Sequence, residues 1–422
     1  MKQKKNVKLM IGIVAVVAVA IIGIIVASVV NAANSPEKKL QQQMELANRY
    51  LSELDYEKAI ATFQLALEID PKAETAYLGM AEAYIALGDY EKALTVLEEG
   101  LVQTESEAIR GKLEEVKKLM QPPINWDIEL MDDTVMDWRD ANLEAAMREV
   151  TGIYDRDITY GDVKDITGLV LEDRDISDIT ALGYLKNMET LIIRGNKISD
   201  ISPLSNMTAL TYLVIGNKGI VDYSPLSSLK NIITLYYENS DIDDLNAFVE
   251  VLNEMPQLTF LVLAYNNISD ISPLENLERL PELKKLYLTG NQVTDISVLG
   301  GMRELDDLSL IYNPIEDFTI LSTMPKLEYL YLDSCDIGQD DLVIIGQLKG
   351  LNHTLSLGYN ELSDISAISG LTNLKRLYLD SNNISDVSTL SNMTQLEHLG
   401  LRDNPVTDYS PVSFVPNLYT DN

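Results

Sequence analysis

The fold class predicted for this chain is an α+β repeat protein. It has an N-terminal transmembrane helix, short α-helical hairpins, and then a solenoid whose concave face is a parallel β-sheet. Three observations predict it. Four lysines precede an apolar run of 22 residues, a 34-residue pattern occurs twice, and a pattern of 22 to 26 residues occurs eleven times. The chain has 422 residues and a formal net charge of −32. A chain this acidic is a poor partner for nucleic acid, whose binding needs a basic face to displace counterions. One cysteine excludes an intramolecular disulfide, and two histidines exclude zinc sites built on Cys and His clusters. Tyrosine dominates the aromatic residues, 21 against 5 Phe and 2 Trp. It joins apolar area to a polar tip, which suits contact surfaces.

The elements follow in order. Residues 1–8 are a basic tail carrying Lys2, Lys4, Lys5 and Lys8. Residues 9–30, at about 1.5 Å per residue, are long enough to cross the hydrocarbon core. Lysines on the near side place the N-terminus in the cytoplasm and the repeats outside, so a single-pass cell-membrane protein with a signal anchor is expected. The competing reading is a signal peptide cleaved near Ala32, which the length of the apolar run disfavours. After a linker at 31–39, residues 40–120 hold two units, 40–73 and 74–107, and a capping helix over 106–120. Asp55-Tyr56-Glu57-Lys58-Ala59 matches Asp89-Tyr90-Glu91-Lys92-Ala93. Small residues at Ala47, Ala59 and Ala66 let two helices approach, and Tyr50 and Phe63 fill the gap between them. The pattern resembles the tetratricopeptide repeat, which implies helical hairpins and a candidate self-association element. The carboxylate clamp of that family is not expected, because Met44 and Gly79 stand at two of its three positions and only Asn48 fits.

Pro122-Pro123 opens a second linker at 121–134, and residues 135–165 form a helical cap in which Asp140 starts a helix from Ala141 to Val150. The solenoid covers 166–422. In Leu191-x-Ile193-x-x-Asn196-x-Ile198-x-Asp200 the alternating apolar residues point inward, and Asn196 can bond backbone groups of adjacent turns. That ladder position is read as Arg174, Asn196, Lys218, Ser240, Asn266, Asn291, Asn313, Cys335, Asn360, Asn382 and Asn404. Cys335 fits the slot as a buried structural thiol. An Asp four residues after the ladder residue caps the short helix that follows. The pattern closely resembles leucine-rich repeats of the short, bacterial, internalin-like type, and Ala141-Asn142-Leu143-Glu144 resembles the cap of that family. The resemblance implies about eleven strands along a concave sheet that serves as a binding surface.

There is no HExxH, GxSxG, CxxC or phosphate-binding glycine loop. Neither an enzyme nor a cofactor nor a metal site is expected. The positions between the inward residues face the concave side and are rich in tyrosine. The candidate ligand-binding residues are Tyr212, Tyr236, Phe260, Tyr265, Tyr287, Tyr312, Tyr329, Tyr331, Tyr359 and Tyr378, with Arg194, Glu238, Asp333 and Arg376. Amphipathic side chains on a rigid face are what protein recognition uses, and they can also stack on sugar rings. The expectation is a membrane-anchored, outward-facing binding protein with a protein ligand, a glycan being the alternative. A self-associating envelope scaffold and a released adhesin are the competing functions.

Overall fold

The computed structural model describes residues 35–120, 125–277 and 282–421. The chain forms two compact units, Met1–Asn125 and Trp126–Asn422. Among the described residues of the first, five helices follow one another: α1 Pro36–Ser52, α2 Tyr56–Ile69, α3 Glu74–Ala86, α4 Tyr90–Thr104 and α5 Glu107–Met120. Their starts are written locally. Pro36 takes the first helical position behind Ser35, whose hydroxyl accepts from the Lys38 amide. Asp55 and Asp89 cap α2 and α4 in the same way, and Lys58 and Lys92 lie over the Tyr50 and Tyr84 rings at 5.5 and 5.6 Å. The 34-residue identity thus returns as one repeated constellation. Ala47, Ala59, Phe63 and Ala66 are fully buried. Gly79 permits the closest approach, since a Cβ there would meet Phe63 Cζ at 2.3 Å.

No helix among the described residues is long and apolar enough to cross a membrane. This corrects the expected architecture, which began with a transmembrane helix. The longest of these helices, α1, has 17 residues and carries Glu37, Lys38, Lys39, Glu45 and Arg49, short of the roughly 20 apolar residues a span requires. Residues 9–30, on which that expectation rested, lie outside the described residues. The fold is helical hairpins followed by a solenoid.

The second unit begins with Trp126, inside the stretch read as a linker, whose indole N–H donates to Thr180 O at 2.9 Å while its ring covers Gly183. The cap helix α6 (Ala141–Thr151) buries Leu143, Ala146 and Met147. Asp140 starts it, accepting from the Asn142 and Leu143 amides. Its other oxygen accepts from Ser177 and Asp178, which ties the cap to the first turn of the solenoid. The short helix α7 (Tyr160–Val163) follows behind a capping box of Thr159 and Asp162.

Twelve strands then make one parallel sheet in chain order. They are β1 Gly168–Val170, β2 Thr190–Ile192, β3 Tyr212–Ile215, β4 Thr234–Tyr237, β5 Phe260–Val262 and β6 Lys285–Tyr287. The rest are β7 Asp307–Ser309, β8 Tyr329–Tyr331, β9 Thr354–Ser356, β10 Arg376–Tyr378, β11 His398–Gly400 and β12 Asn417–Tyr419. The last follows the final ladder residue and is one more than the repeat pattern suggested. A leucine sits at the centre of every strand, in register from Leu169 to Leu418. Each of the eleven from Leu169 to Leu399 is buried and contributes roughly 1.5–3 kcal/mol. On the convex side most turns close with a short 3₁₀ helix such as Ser202–Asn206, entered through the predicted Asp: Asp200, Asp364 and Asp386 each accept from the amide two residues on. Two of the longer repeats spend their extra residues on true helices, α8 (Asn246–Leu252) and α9 (Gln339–Ile345).

The asparagine ladder is present. Asn313 Nδ2 donates to Leu288 O and Leu310 O, and its oxygen accepts from the Val293 amide. One position needs correction. The residue in the slot is Asn217, fully buried and donating to Ile193 O at 3.1 Å, while Lys218 is exposed. Ser240 fills the next slot with a single donor, to Glu238 O. Cys335 donates its thiol to Leu310 O at 3.1 Å, and burial pushes the thiol pKa up to about 12.

Next to this ladder, Tyr237 packs edge-on against Phe248 and Tyr223, fully buried. Its hydroxyl has no hydrogen-bond partner among the described residues. Tyr237→Phe removes a desolvated donor and keeps the ring. A gain of about 1 kcal/mol is expected, read as a higher urea midpoint at unchanged slope.

Candidate binding surface

Strand geometry sorts the concave positions into two rows, on either side of the central leucines. One contains Tyr212, Phe260, Lys285, Asp307, Tyr329, Thr354 and Arg376, the other Tyr236, Tyr287, Ser309, Tyr331, Ser356 and Tyr378. Aromatic residues alternate between the rows, so rings from neighbouring turns meet diagonally. Centroids lie 5.7 Å apart for Tyr212 and Tyr236, 5.4 Å for Tyr236 and Phe260, and 5.0 Å for Phe260 and Tyr287. Ser309 leaves room for Tyr287 to reach Tyr331 across a whole strand, at 6.4 Å. Five of the predicted residues therefore form one continuous aromatic stripe over β3 to β8, half-buried by mutual contact rather than standing free. Burial pushes the Tyr236 hydroxyl up to about 12 and raises those of Tyr287 and Tyr331, with Asp307 adding to the effect at Tyr287 and Tyr331.

Asp307 lies beneath the stripe, 3% exposed. Its Oδ2 accepts from Tyr287 Oη at 3.1 Å and Lys285 Nζ at 3.2 Å, and Oδ1 has no partner among the described residues. The Lys285 ammonium lies over the Phe260 and Tyr329 rings. Tyr329 stacks on His353 at 4.2 Å, and burial, then the Arg376 charge, lowers the imidazole pKa. Arg194 is held by Glu238 and Glu172, both at 2.8 Å. Asp333 accepts from Ser356 Oγ at 2.7 Å and the Gly358 amide at 2.9 Å. Tyr378 lines a separate cleft with Tyr359, Arg402, Asp380 and Tyr419. Sequence reasoning missed Tyr419, which follows the last ladder residue, and His353, whose partner sits in another repeat.

Tyr265, Tyr312 and Tyr359 stand apart from the stripe. Each directly precedes a ladder Asn and has a positive φ, +54°, +56° and +58°. That conformation costs an L-residue about 1–2 kcal/mol. Gly195 and Gly290 take the equivalent place in two other turns.

Burial raises the Asp333 carboxyl above its ordinary value, against the hydrogen bonds from Ser356 and Gly358. A carboxyl that binds its proton more tightly when folded costs nothing below the ordinary value. The cost grows as pH rises through the raised value and is complete above it. Asp333→Asn keeps an acceptor oxygen and removes the charge. Its stability relative to the parent is expected to rise from about pH 4 to a plateau by neutrality, read from urea midpoints across that range. The same difference at every pH would contradict the assignment.

The repeats match known families. The tetratricopeptide-repeat family model matches residues 50–113, and the leucine-rich-repeat model matches residues 186–231, 256–301 and 353–392. The chain carries leucine-rich repeats, with tetratricopeptide repeats ahead of them. Among solved structures, the leucine-rich-repeat chain is similar to an internalin (inlF) from Listeria monocytogenes, 29% identical, covering 68% of this chain and 96% of that one with a TM-score of 0.48. An internalin C2 from the same species is 21% identical over 69% and 99% of the two chains, with a TM-score of 0.35. A leucine-rich-repeat protein from Leptospira interrogans is 18% identical over 62% and 78%, with a TM-score of 0.45. A search of curated proteins finds no match. Leucine-rich and tetratricopeptide repeats are typically non-enzymatic binding scaffolds, and leucine-rich-repeat solenoids are a fold typical of protein-binding proteins.

Proposed function

We propose that the protein recognises a protein ligand on its concave face, with the aromatic stripe from Tyr212 to Tyr331 as the central contact. One observation carries this reading: the five rings touch one another in sequence along the sheet. Rings already packed have little rotamer freedom left to lose, so a ligand meets a surface whose ordering cost was met on folding. Aromatic anchors at the centre of a patch, with charges such as Arg194 and Arg376 at its edges, are the usual distribution of binding energy. An extracytoplasmic location accompanies the proposal, supported by the four lysines followed by 22 apolar residues. Protection of the repeats from added protease in intact cells would contradict it.

The test immobilises the protein and a Tyr236→Ser/Tyr331→Ser variant, and passes envelope extract from the source cells over both. Tyr287 is left intact because its hydroxyl supports Asp307. A protein held by the parent and released by the variant supports the proposal. For the purified pair the expected loss is at least about thirtyfold, equivalent to roughly 2 kcal/mol. Undiminished capture by a folded variant would overturn it.

A further inference from the structure

The three tyrosines outside the stripe form a row of their own. Tyr265, Tyr312 and Tyr359 are 52%, 53% and 60% exposed, whereas the stripe is half-buried. They occupy alternate turns, with Gly290 and Ser334 at the equivalent positions between them. A Cβ at Gly290 would strike the Tyr265 ring at 2.5 Å, so that ring leans over the glycine and spreads along the row. Nothing in the packing of the solenoid asks for tyrosine in this strained place, because Gly195 and Gly290 satisfy the same turn. Asp173, Asn239, Ser334, Ser381 and Asp403 share the positive φ at this place, so the turn sets the backbone and leaves the choice of tyrosine unexplained by packing.

The spacing identifies what the row fits. Alternate parallel strands are roughly 10 Å apart. A polyproline II helix has three residues per turn and rises about 3.1 Å per residue, so the same edge returns every 9 Å or so. A β-strand presents the same face every second residue, roughly every 7 Å, and falls out of step with the row. Aromatic-lined grooves are the standard receptors of polyproline II segments, whose solvated carbonyls accept from tyrosine hydroxyls. Charge narrows the ligand further. Tyr359 borders two clefts, one carrying Asp336 and Glu361 and the other Asp380, Asp403 and Arg402. Both are net acidic, in a chain of net charge −32.

We infer that the row formed by Tyr265, Tyr312 and Tyr359 docks a proline-rich segment bearing lysine or arginine, held as a polyproline II helix with one turn per tyrosine. This rests on the reading of the concave side as a protein-binding surface and names the kind of segment bound beside the stripe. The ridges of successive turns pack against the three rings, and the basic side chains reach the acidic clefts.

The experiment uses the full chain and a fluorescent fifteen-residue peptide of Pro-Pro-Lys repeats. A Gly-Ser-Lys repeat of equal length and charge, a basic amphipathic helical peptide and a soluble β-linked amino-sugar oligomer serve as comparisons. The Pro-Pro-Lys peptide is expected to bind at least tenfold more tightly than any of them. The combined variant Tyr265→Gly/Tyr312→Gly/Tyr359→Gly is expected to lose at least tenfold in affinity without a lower unfolding midpoint, since glycine accepts the positive φ. Should that variant fold poorly, Tyr→Asn at the same three positions replaces it, as Asn also tolerates this conformation. The Tyr236→Ser/Tyr331→Ser variant is expected to retain the peptide, which separates this row from the stripe. Equal binding of the Pro-Pro-Lys and Gly-Ser-Lys peptides would reduce the interaction to charge and overturn the inference. So would preference for the helix or the sugar, or full binding by the glycine variant.

Discussion

Asn360→Ala is expected to destabilise the solenoid by about 4 kcal/mol. Asn360 Oδ1 accepts from the Cys335 and Ile337 amides at 3.0 and 3.2 Å, and Nδ2 donates to Leu332 O and Gly358 O at 2.9 and 3.0 Å. Three of these partners lie in the preceding turn, Gly358 O also accepts from the Ser334 amide at 3.0 Å, and Asn360 itself is 6% exposed. Truncation strands the Cys335 and Ile337 amides and the Leu332 carbonyl in a desolvated place. Each unsatisfied group costs about 1–3 kcal/mol, and local relaxation recovers part of the sum. The effect should be read locally as well as globally: hydrogen exchange at the Cys335 and Ile337 amides is expected to accelerate more than at the Leu169 amide, far along the sheet, because each turn depends mainly on its neighbours. Asn360→Asp keeps the acceptor and loses the donors, so it should fall between parent and Ala. A loss below about 1 kcal/mol for Ala would mean that water replaces the side chain and that the ladder is dispensable.

Much of this architecture was legible because its period is written into the sequence. One leucine per turn in register, and an Asp placed to cap each 3₁₀ helix, leave few alternatives for the chain. The exception at Lys218 is instructive. A spacing of 22 points to that residue, but Gly216-Asn217-Lys218-Gly219 moves the ladder one place earlier, and Gly219, at φ +89°, restores the register. Chemistry outranks spacing there, since only Asn217 offers both donor and acceptor. The ring contacts were not legible in the same way. Which residues face the concave side follows from alternation, yet whether Tyr287 reaches Tyr331 depends on a small residue on the strand between them. The burial of Asp307 also arises from rings on neighbouring turns. A reading of one turn at a time does not produce either contact.

The second large effect is expected at Gly346, where α9 ends. A Cβ at this position would lie 2.1 Å from the Ala367 carbonyl oxygen and 2.8 Å from its carbon. Both belong to the backbone of the next turn, so no side-chain rotation relieves the clash. Gly346→Ala is expected to cost about 3 kcal/mol, the upper part of the range for overpacking. Gly338→Ala, at the other end of the same helix, is the control: the nearest atom there is Asp341 Oδ2 at 3.4 Å, and a change within about 0.5 kcal/mol is expected. Urea unfolding of the two variants side by side checks the pair. Equal stability would show that the convex turns slide apart freely, contrary to the close approach of α9 and the 3₁₀ helix Ser366–Gly370.

The sulfur at Cys335 gives the chain a built-in clock. It is the sole thiol in 422 residues and is fully enclosed, so a thiol-modifying reagent can label the protein only when that turn opens. Labelling rates against reagent concentration would then time the breathing of one rung, with no engineered probe and no change to the concave face.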